Sequence, residues 1–401
     1  MRIDWKNRTE IDEAKIVLQS SRGESALKDL LLMSKDVANV SAFLNADLAR
    51  AECDRTRSWW GAVGADVTDL LVIGIGGSTL ASRAVLDGAR PKSAGANVRF
   101  LESVDTEVHE ELGEYIKSIA PQTFFILVIS KSGTTIEVMA NLAFVERAFM
   151  RAHNIKPRVG VVTLGETLLA QRARKEQWPH LLSHPTIPDR YAAFTVTGLV
   201  PMYAAGVNIE QFCQSVDHNA FEDALATAAI RAISYHEGER VHDLFYFHPE
   251  LEALGKWHRA LMAESLGKAE TIDGKPAHIA LEPVVSVGTQ DLHAVLQLRF
   301  GSGGGTFTTF VVDEQLLNPE GEVSAVLFQS IQETYASRKL PSMSYVLMNL
   351  SASELGRYMV HAMCETALLA YYFEVNPFDQ PEVEEYKERA RERLAEEGGA
   401  L

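Results

Sequence analysis

A chain of 401 residues is longer than one hydrophobic core ordinarily supports, so two globular lobes of similar size are expected, with a cleft as the natural consequence. The composition, 46% hydrophobic and 23% charged, is that of an ordinary globular enzyme, and no apolar stretch is long and charge-free enough to cross a bilayer. A formal net charge of -16 repels nucleic acid and anionic lipid, no basic patch is readable, and neither is expected as a partner.

The opening residues, Met1-Arg2-Ile3-Asp4-Trp5-Lys6, lack the apolar core and small-residue cleavage site of a secretory signal, which predicts a cytoplasmic protein. Cys53, Cys213 and Cys364 are odd in number and widely scattered, as suits reduced structural thiols. Residues 1–64 read as an N-terminal helical segment, with helices over 10–18 and 26–62. From Val67 the texture changes. The run Asp69-Leu70-Leu71-Val72-Ile73-Gly74-Ile75 predicts a buried strand, the loop Gly76-Gly77-Ser78 ends it, and a helix over 79–89 follows. Strands over 98–102, 123–129 and 158–164 repeat the pattern, with a helix over 136–150.

Apolar strands alternating with helices predict a doubly wound parallel sheet covered on both faces, here a first α/β domain over 65–205. After helical sequence through 199–233, strands over 242–247, 306–312 and 344–350 and a helix over 251–266 predict a second α/β domain over 206–373. A helix over 353–373, capped by Ser351 or Ser353, ends it. Residues 374–401 form a C-terminal arm with a charged helix over 382–397, in which Glu385 and Arg389 are spaced to pair.

In open α/β sheets ligands bind beyond the carboxyl ends of the strands, where loops and helix N-termini present free amides. Two polar loops fall there. Gly74-Ile75-Gly76-Gly77-Ser78 lets backbone approach a ligand at Gly77 and adds the Ser78 hydroxyl, although such loops are also ordinary tight turns. Ser130-Lys131-Ser132-Gly133-Thr134-Thr135 crowds four hydroxyls and an ammonium into six residues, more than helix capping requires, and points to phosphate. The GxxxxGK[ST] spacing of nucleotide-hydrolysing loops is absent. His236, Glu237 and His242 do not have the spacing of a zinc-binding helix, and no metal site is expected.

With these loops, Leu254-Gly255-Lys256-Trp257, Glu264-Ser265-Leu266-Gly267-Lys268, Asp291-Leu292-His293 and Val375-Asn376-Pro377-Phe378-Asp379-Gln380-Pro381, the chain resembles the phosphoglucose isomerase family from about Leu71 to Lys387. The resemblance implies two flavodoxin-like sugar-isomerase (SIS) domains. It further implies interconversion of glucose 6-phosphate and fructose 6-phosphate through an enediol, without metal or organic cofactor. On motif alignment Ser78, Ser130, Lys131, Ser132 and Thr135 grip the phosphate, and Gln380 contacts substrate. Glu264 is the base that moves a proton between C2 and C1, and His293 opens the ring, lent by the neighbouring subunit of a homodimer. Lys387 lies near the ring oxygen and Arg190 stabilises the enediolate.

Three positions depart from the family's pattern. Pro188-Asp189 stands where Gly-Gly is usual before the arginine, and Asp189 could orient or quench Arg190. Ala260 stands where a substrate-contacting Gln is usual. These leave room for a different hexose phosphate, such as mannose 6-phosphate, and a non-catalytic sugar-phosphate sensor is the alternative of another class.

Overall fold

A computed structural model describes residues 1–5, 11–91, 95–217, 219–318 and 322–396. In chain order the first elements are β1 (Arg2–Asp4), α1 (Glu13–Met33), α2 (Ala46–Val63), β2 (Asp69–Ile73), α3 (Leu80–Ala89) and β3 (Asn97–Leu101). Next come α4 (Thr106–Ser118), β4 (Phe124–Ile129), α5 (Ile136–His153), β5 (Arg158–Thr163), α6 (Leu168–Glu176), β6 (His180–Leu182), α7 (Val196–Ala204) and α8 (Ile209–Cys213). The remainder are α9 (Asn219–His236), β7 (Val241–Tyr246), α10 (Glu252–Leu266), β8 (Glu282–Val287), α11 (Gly288–Ser302) and β9 (Thr306–Asp313), followed by α12 (Val323–Arg338), β10 (Ser342–Leu347), α13 (Ala352–Tyr372) and α14 (Glu384–Glu396).

The chain divides into two compact units. One comprises Asp47–Leu86, Arg90–Glu210 and the chain from Pro381; the other comprises Met1–Ala46, Asp87–Ala89 and Gln211–Gln380.

The Asp47–Glu210 unit holds an all-parallel sheet in the order β3-β2-β4-β5-β6. Counted by sequence that is 2-1-3-4-5, the flavodoxin-like winding, whose direction reverses between β2 and β4. Alternate residues of each strand face opposite layers. Leu71, Ile73, Phe124, Ile126 and Val128 join Leu112, Leu142, Val145 and Phe149 in one core. Leu70, Val72, Phe125, Leu127 and Ile129 join Trp60, Val196 and Val200 in the other. Period-two exposure to two apolar layers explains why these strands read as unbroken apolar runs.

The Gln211–Gln380 unit repeats this winding as β8-β7-β9-β10, parallel throughout, and β1 adds an antiparallel edge on β10. One face packs Phe245, Phe247, Phe310 and Val312 against Phe328, Ile331 and Tyr335. Behind the other lies a buried polar cluster. Arg231 donates to Glu365 at 2.9 Å and Tyr345 donates to the same carboxylate at 2.6 Å, while Tyr358 contacts Tyr246 and His258, each at 2.7 Å.

The helical reading of residues 1–64 needs correction. Residues 2–4 form β1, and helix is interrupted between Met33 and Ala46, where the Asn39 side chain accepts from the Ser41 amide and starts a 3-10 turn over Val40–Leu44. Besides β1, two strands were not expected from sequence: β6, only three residues long, and β8, whose Pro283 is tolerated because β8 is an edge strand. The strand expected over 344–350 lies two residues earlier and ends at Leu347. Ser351 is the cap of α13, accepting from the Glu354 amide. Glu385 and Arg389 do pair in α14. Glu10 and Glu397, ends of two expected helices, lie outside the described residues. Among the described residues no helix is long and apolar enough to cross a membrane.

Candidate active site

The loops after β2 and β4 flank the point where the winding of the Asp47–Glu210 unit reverses, the usual ligand position in such sheets. After β4, the hydroxyls converge on Thr135. Its Oγ1 lies 3.0 Å from Ser130 Oγ and 3.3 Å from Ser132 Oγ, and the Gly133 amide donates to Ser130 Oγ at 3.1 Å. Gly133 has φ +63 and a Cβ there would lie 2.5 Å from that of Thr167, so only glycine makes this turn. Thr135 stands at the N-cap of α5 but makes no side-chain cap bond. These hydroxyls therefore do not serve the cap, and the positive end of the helix dipole faces the loop.

Lys131 is half-buried and donates to the Ile187 carbonyl at 2.7 Å, which ties it to the segment leading into Arg190. Burial is the largest influence on its ammonium and lowers its pKa, aided by Arg190 and opposed by the Asp189 carboxylate. Arg190 is buried, at 2% exposure, in a 3-10 turn over Asp189–Phe194. That turn lies against Gly77 so closely that a Cβ on Gly77 would stand 2.6 Å from the Arg190 amide nitrogen. The loop after β2 is braced from its other side, where Glu102 accepts from Thr79 Oγ1 and pairs with Arg83. Glu102 carries no local sequence signal; only the β2–β3 pairing brings it there.

Asp189 reaches beyond Arg190 to the loop after β2. Its Oδ2 accepts a 2.8 Å hydrogen bond from Ser78 Oγ, so the carboxylate faces the hydroxyl and ammonium side of the loops. Burial raises its pKa, against the lowering pull of Ser78, Lys131 and Arg190. Ser78, Ser130, Lys131, Ser132, Thr135, Gly77 and Arg190 thus belong to one unit, and Asp189 links the loop after β2 to Arg190.

Glu264, His293 and Gln380 belong to the other unit. Glu264 is half-buried in the last turn of α10. Lys268, 5% exposed, donates to the carbonyls of Glu264 at 2.7 Å and Asp379 at 2.6 Å, which ties that turn to the Asn376–Gln380 segment. Ala260 lies one turn earlier on α10. His293 is exposed in the second turn of α11. Lys387, in α14, is half-buried and donates to Glu384 at 2.7 Å. The equivalent reversal point of the Gln211–Gln380 unit, between β7 and β9, carries a histidine–carboxylate contact instead of a hydroxyl loop: His248 Nε2 stands 3.2 Å from Asp313 Oδ1. A phosphate-type loop is therefore a property of the first sheet only, among the described residues.

The sequence profile of the family described as phosphoglucose isomerase matches residues 7–307, three quarters of the chain. The chain belongs to the phosphoglucose isomerase family. Its relatives include a protein of Thermus thermophilus named glucose-6-phosphate isomerase, 29% identical over 358 residues (82% of this chain, 84% of the relative). Another, of Methanococcus maripaludis, named probable glucose-6-phosphate isomerase, is 27% identical over 357 residues (81% and 78%). Among solved structures, a hypothetical protein of Thermus thermophilus superposes with TM-score 0.82 at 25% identity, covering 98% of this chain and 99% of its own. A glucose-6-phosphate isomerase of Chlamydia trachomatis superposes with TM-score 0.78 at 18% identity, covering 98% and 88%, which supports the fold.

Proposed function

We propose that this protein is an aldose–ketose isomerase that interconverts glucose 6-phosphate and fructose 6-phosphate through an enediol intermediate, working as a homodimer. The observation that carries the reading is the cluster of hydroxyls and the Lys131 ammonium across the β2/β4 reversal point, with Arg190 packed against Gly77 beside it. Membership of the phosphoglucose isomerase family supplies the reaction.

In this reading Ser78, Ser130, Lys131, Ser132 and Thr135 hold the phosphate. Proton transfer to the ring oxygen by His293 of the partner subunit opens the pyranose, with Lys387 near that oxygen and Gln380 on the sugar. Glu264 removes the C2 proton and negative charge builds on O1, where Arg190 stabilises it; the O2 proton then passes to O1 and Glu264 returns its proton to C1 as the C2 carbonyl forms. A permanently charged guanidinium does this without competing for the proton. The exposure of His293 on its own chain supports its donation to a second copy. An enzyme of this kind works on cytoplasmic sugar phosphates, and its chemistry draws only on side chains.

A coupled assay with glucose 6-phosphate and mannose 6-phosphate, on wild type and Glu264→Gln, tests the reading. Turnover of glucose 6-phosphate by wild type and a loss of about 10²–10⁴-fold in kcat with retained binding in the variant are expected. Sugar-phosphate binding without turnover in wild type would make the protein a sensor instead.

A further inference from the structure

We propose that Asp189 is a specificity-determining residue of the phosphate anchor: it shares Ser78 and Lys131 with the incoming phosphate, so that a sugar phosphate binds together with one proton taken from solvent. This rests on the isomerase reading and concerns the same site.

The geometry sets up a competition. A serine hydroxyl has a single proton to donate, and that of Ser78 goes to Asp189 Oδ2 at 2.8 Å. The carboxylate has little room to withdraw. Its turn is entered through Pro188, with φ -62, and packs against Gly77 so tightly that a Cβ there would stand 2.8 Å from Asp189 Cβ. The charged groups that face Asp189 are Lys131, from the loop after β4, and Arg190, on its own turn; Ser78, from the loop after β2, adds the hydroxyl.

The fields of two cations thus act on one carboxylate before substrate arrives. A phosphate dianion added to them leaves one negative charge unbalanced in a partly buried site. Two anions forced onto shared donors commonly hold a proton between them, as paired carboxylates do. Here the protonated Asp189 carboxyl donates its O–H to a phosphate oxygen while Ser78 turns its own proton to the ligand. Proton balance is complete: one H⁺ leaves buffer for each dianion bound. Burial already raises the Asp189 pKa without the ligand, which favours uptake. A glycine at this position, usual in the family, has no such carboxyl.

The test is calorimetric titration of the protein with glucitol 6-phosphate, which lacks a carbonyl and cannot isomerise, in buffers of different ionisation enthalpy at pH 8. Sugar phosphates of this type are dianionic there, their second pKa being about 6. Uptake approaching one proton is expected, with affinity falling about tenfold per pH unit above neutrality. Asp189→Asn, which keeps an acceptor for Ser78, and Asp189→Gly should both lose the uptake and bind more tightly at pH 8. Binding by wild type without proton uptake overturns the proposal, as does equal uptake in wild type and both variants. Failure to bind glucitol 6-phosphate combined with no turnover of glucose 6-phosphate overturns the isomerase reading itself, whereas normal turnover without uptake removes only the role of Asp189.

Discussion

Lys268 joins the turn that carries Glu264 to the segment that ends in Gln380: one ammonium donates to the Glu264 and Asp379 carbonyls and stands 3.3 Å from the Asp379 carboxylate. The lysine is nearly buried, and its charge lies at the negative end of the α10 dipole. Lys268→Met would keep the aliphatic stem and strand two carbonyls. A loss of about 1–3 kcal/mol in unfolding free energy is expected, with kcat reduced more than KM is raised because the proposed base loses its alignment. Asp379→Asn keeps both carbonyl bonds and should cost much less; equal losses in the two variants would show that the ion pair, and not the carbonyl tether, holds the turn.

The backbone of Gly77 packs tightly against the Arg190 turn. Adding a Cβ brings it within 2.6 Å of backbone, which cannot rotate away as a side-chain tip can. Gly77→Ala should displace Arg190 and lower kcat by about tenfold or more, with stability changed by about 1–3 kcal/mol. Steady-state kinetics beside urea denaturation separate the two effects; a full-rate variant would mean that the Arg190 position is not critical.

For Lys131 the expected signature is in binding. Lys131→Met removes the only ammonium of its loop while retaining the stem that packs there, so KM should rise by about ten- to a hundredfold with a smaller change in kcat. Inhibition by inorganic phosphate should weaken in parallel, and unaltered phosphate inhibition would place the anion elsewhere.

The buried cluster behind the second sheet predicts acid lability. Burial is the largest influence on His258 and, with Arg231 beside it, pushes its pKa from 6.5 down to about 3. For Glu365 burial acts upward but is outweighed by Arg231, His361, His258 and the Tyr345 hydroxyl, leaving the carboxyl at about 2 against an ordinary 4.5. In both cases the unfolded chain binds more protons, so stability present above pH 6.5 is lost as pH falls, first through His258 and below 4.5 through Glu365 as well. The total is on the order of several kcal/mol, measurable by urea denaturation between pH 7 and 3. Glu365→Gln should flatten the lower part of the curve while costing about 3–5 kcal/mol at pH 7, since Arg231 is left buried and unpaired; a wild-type curve flat down to pH 4 would contradict the charge states assigned here.

Legibility in the sequence followed from how local each cause was. The strands β2 and β4 stand out because both of their faces are buried, so no polar residue interrupts them. By contrast, β1 has only three residues and becomes a strand through pairing with β10, more than 300 positions away, which no local pattern encodes. The loop Ser130–Thr135 announces itself because its hydroxyls are contiguous. The Asp189–Ser78 hydrogen bond does not, because 111 residues separate its ends and the carboxylate's direction depends on how two turns pack. Glu264 and Lys268 show the middle case: their spacing suggests an ordinary helical ion pair, whereas the structure sends Lys268 Nζ to the Glu264 and Asp379 carbonyls.

The antiparallel edge strand also has a consequence for biosynthesis. Residues 2–4 pair with Ser344–Val346, and Tyr372 donates to the Gln19 carbonyl at 2.9 Å, so this segment is synthesised more than 300 residues ahead of the partners it pairs with. At common translation rates that interval is on the order of tens of seconds. The Asp47–Glu210 sheet, whose strands all come from one continuous stretch, can close within it. Maturation is therefore ordered against the direction of the sequence: the sheet begun second is finished first, and the N-terminal strand and helix are held in waiting until β10 and α13 have been made.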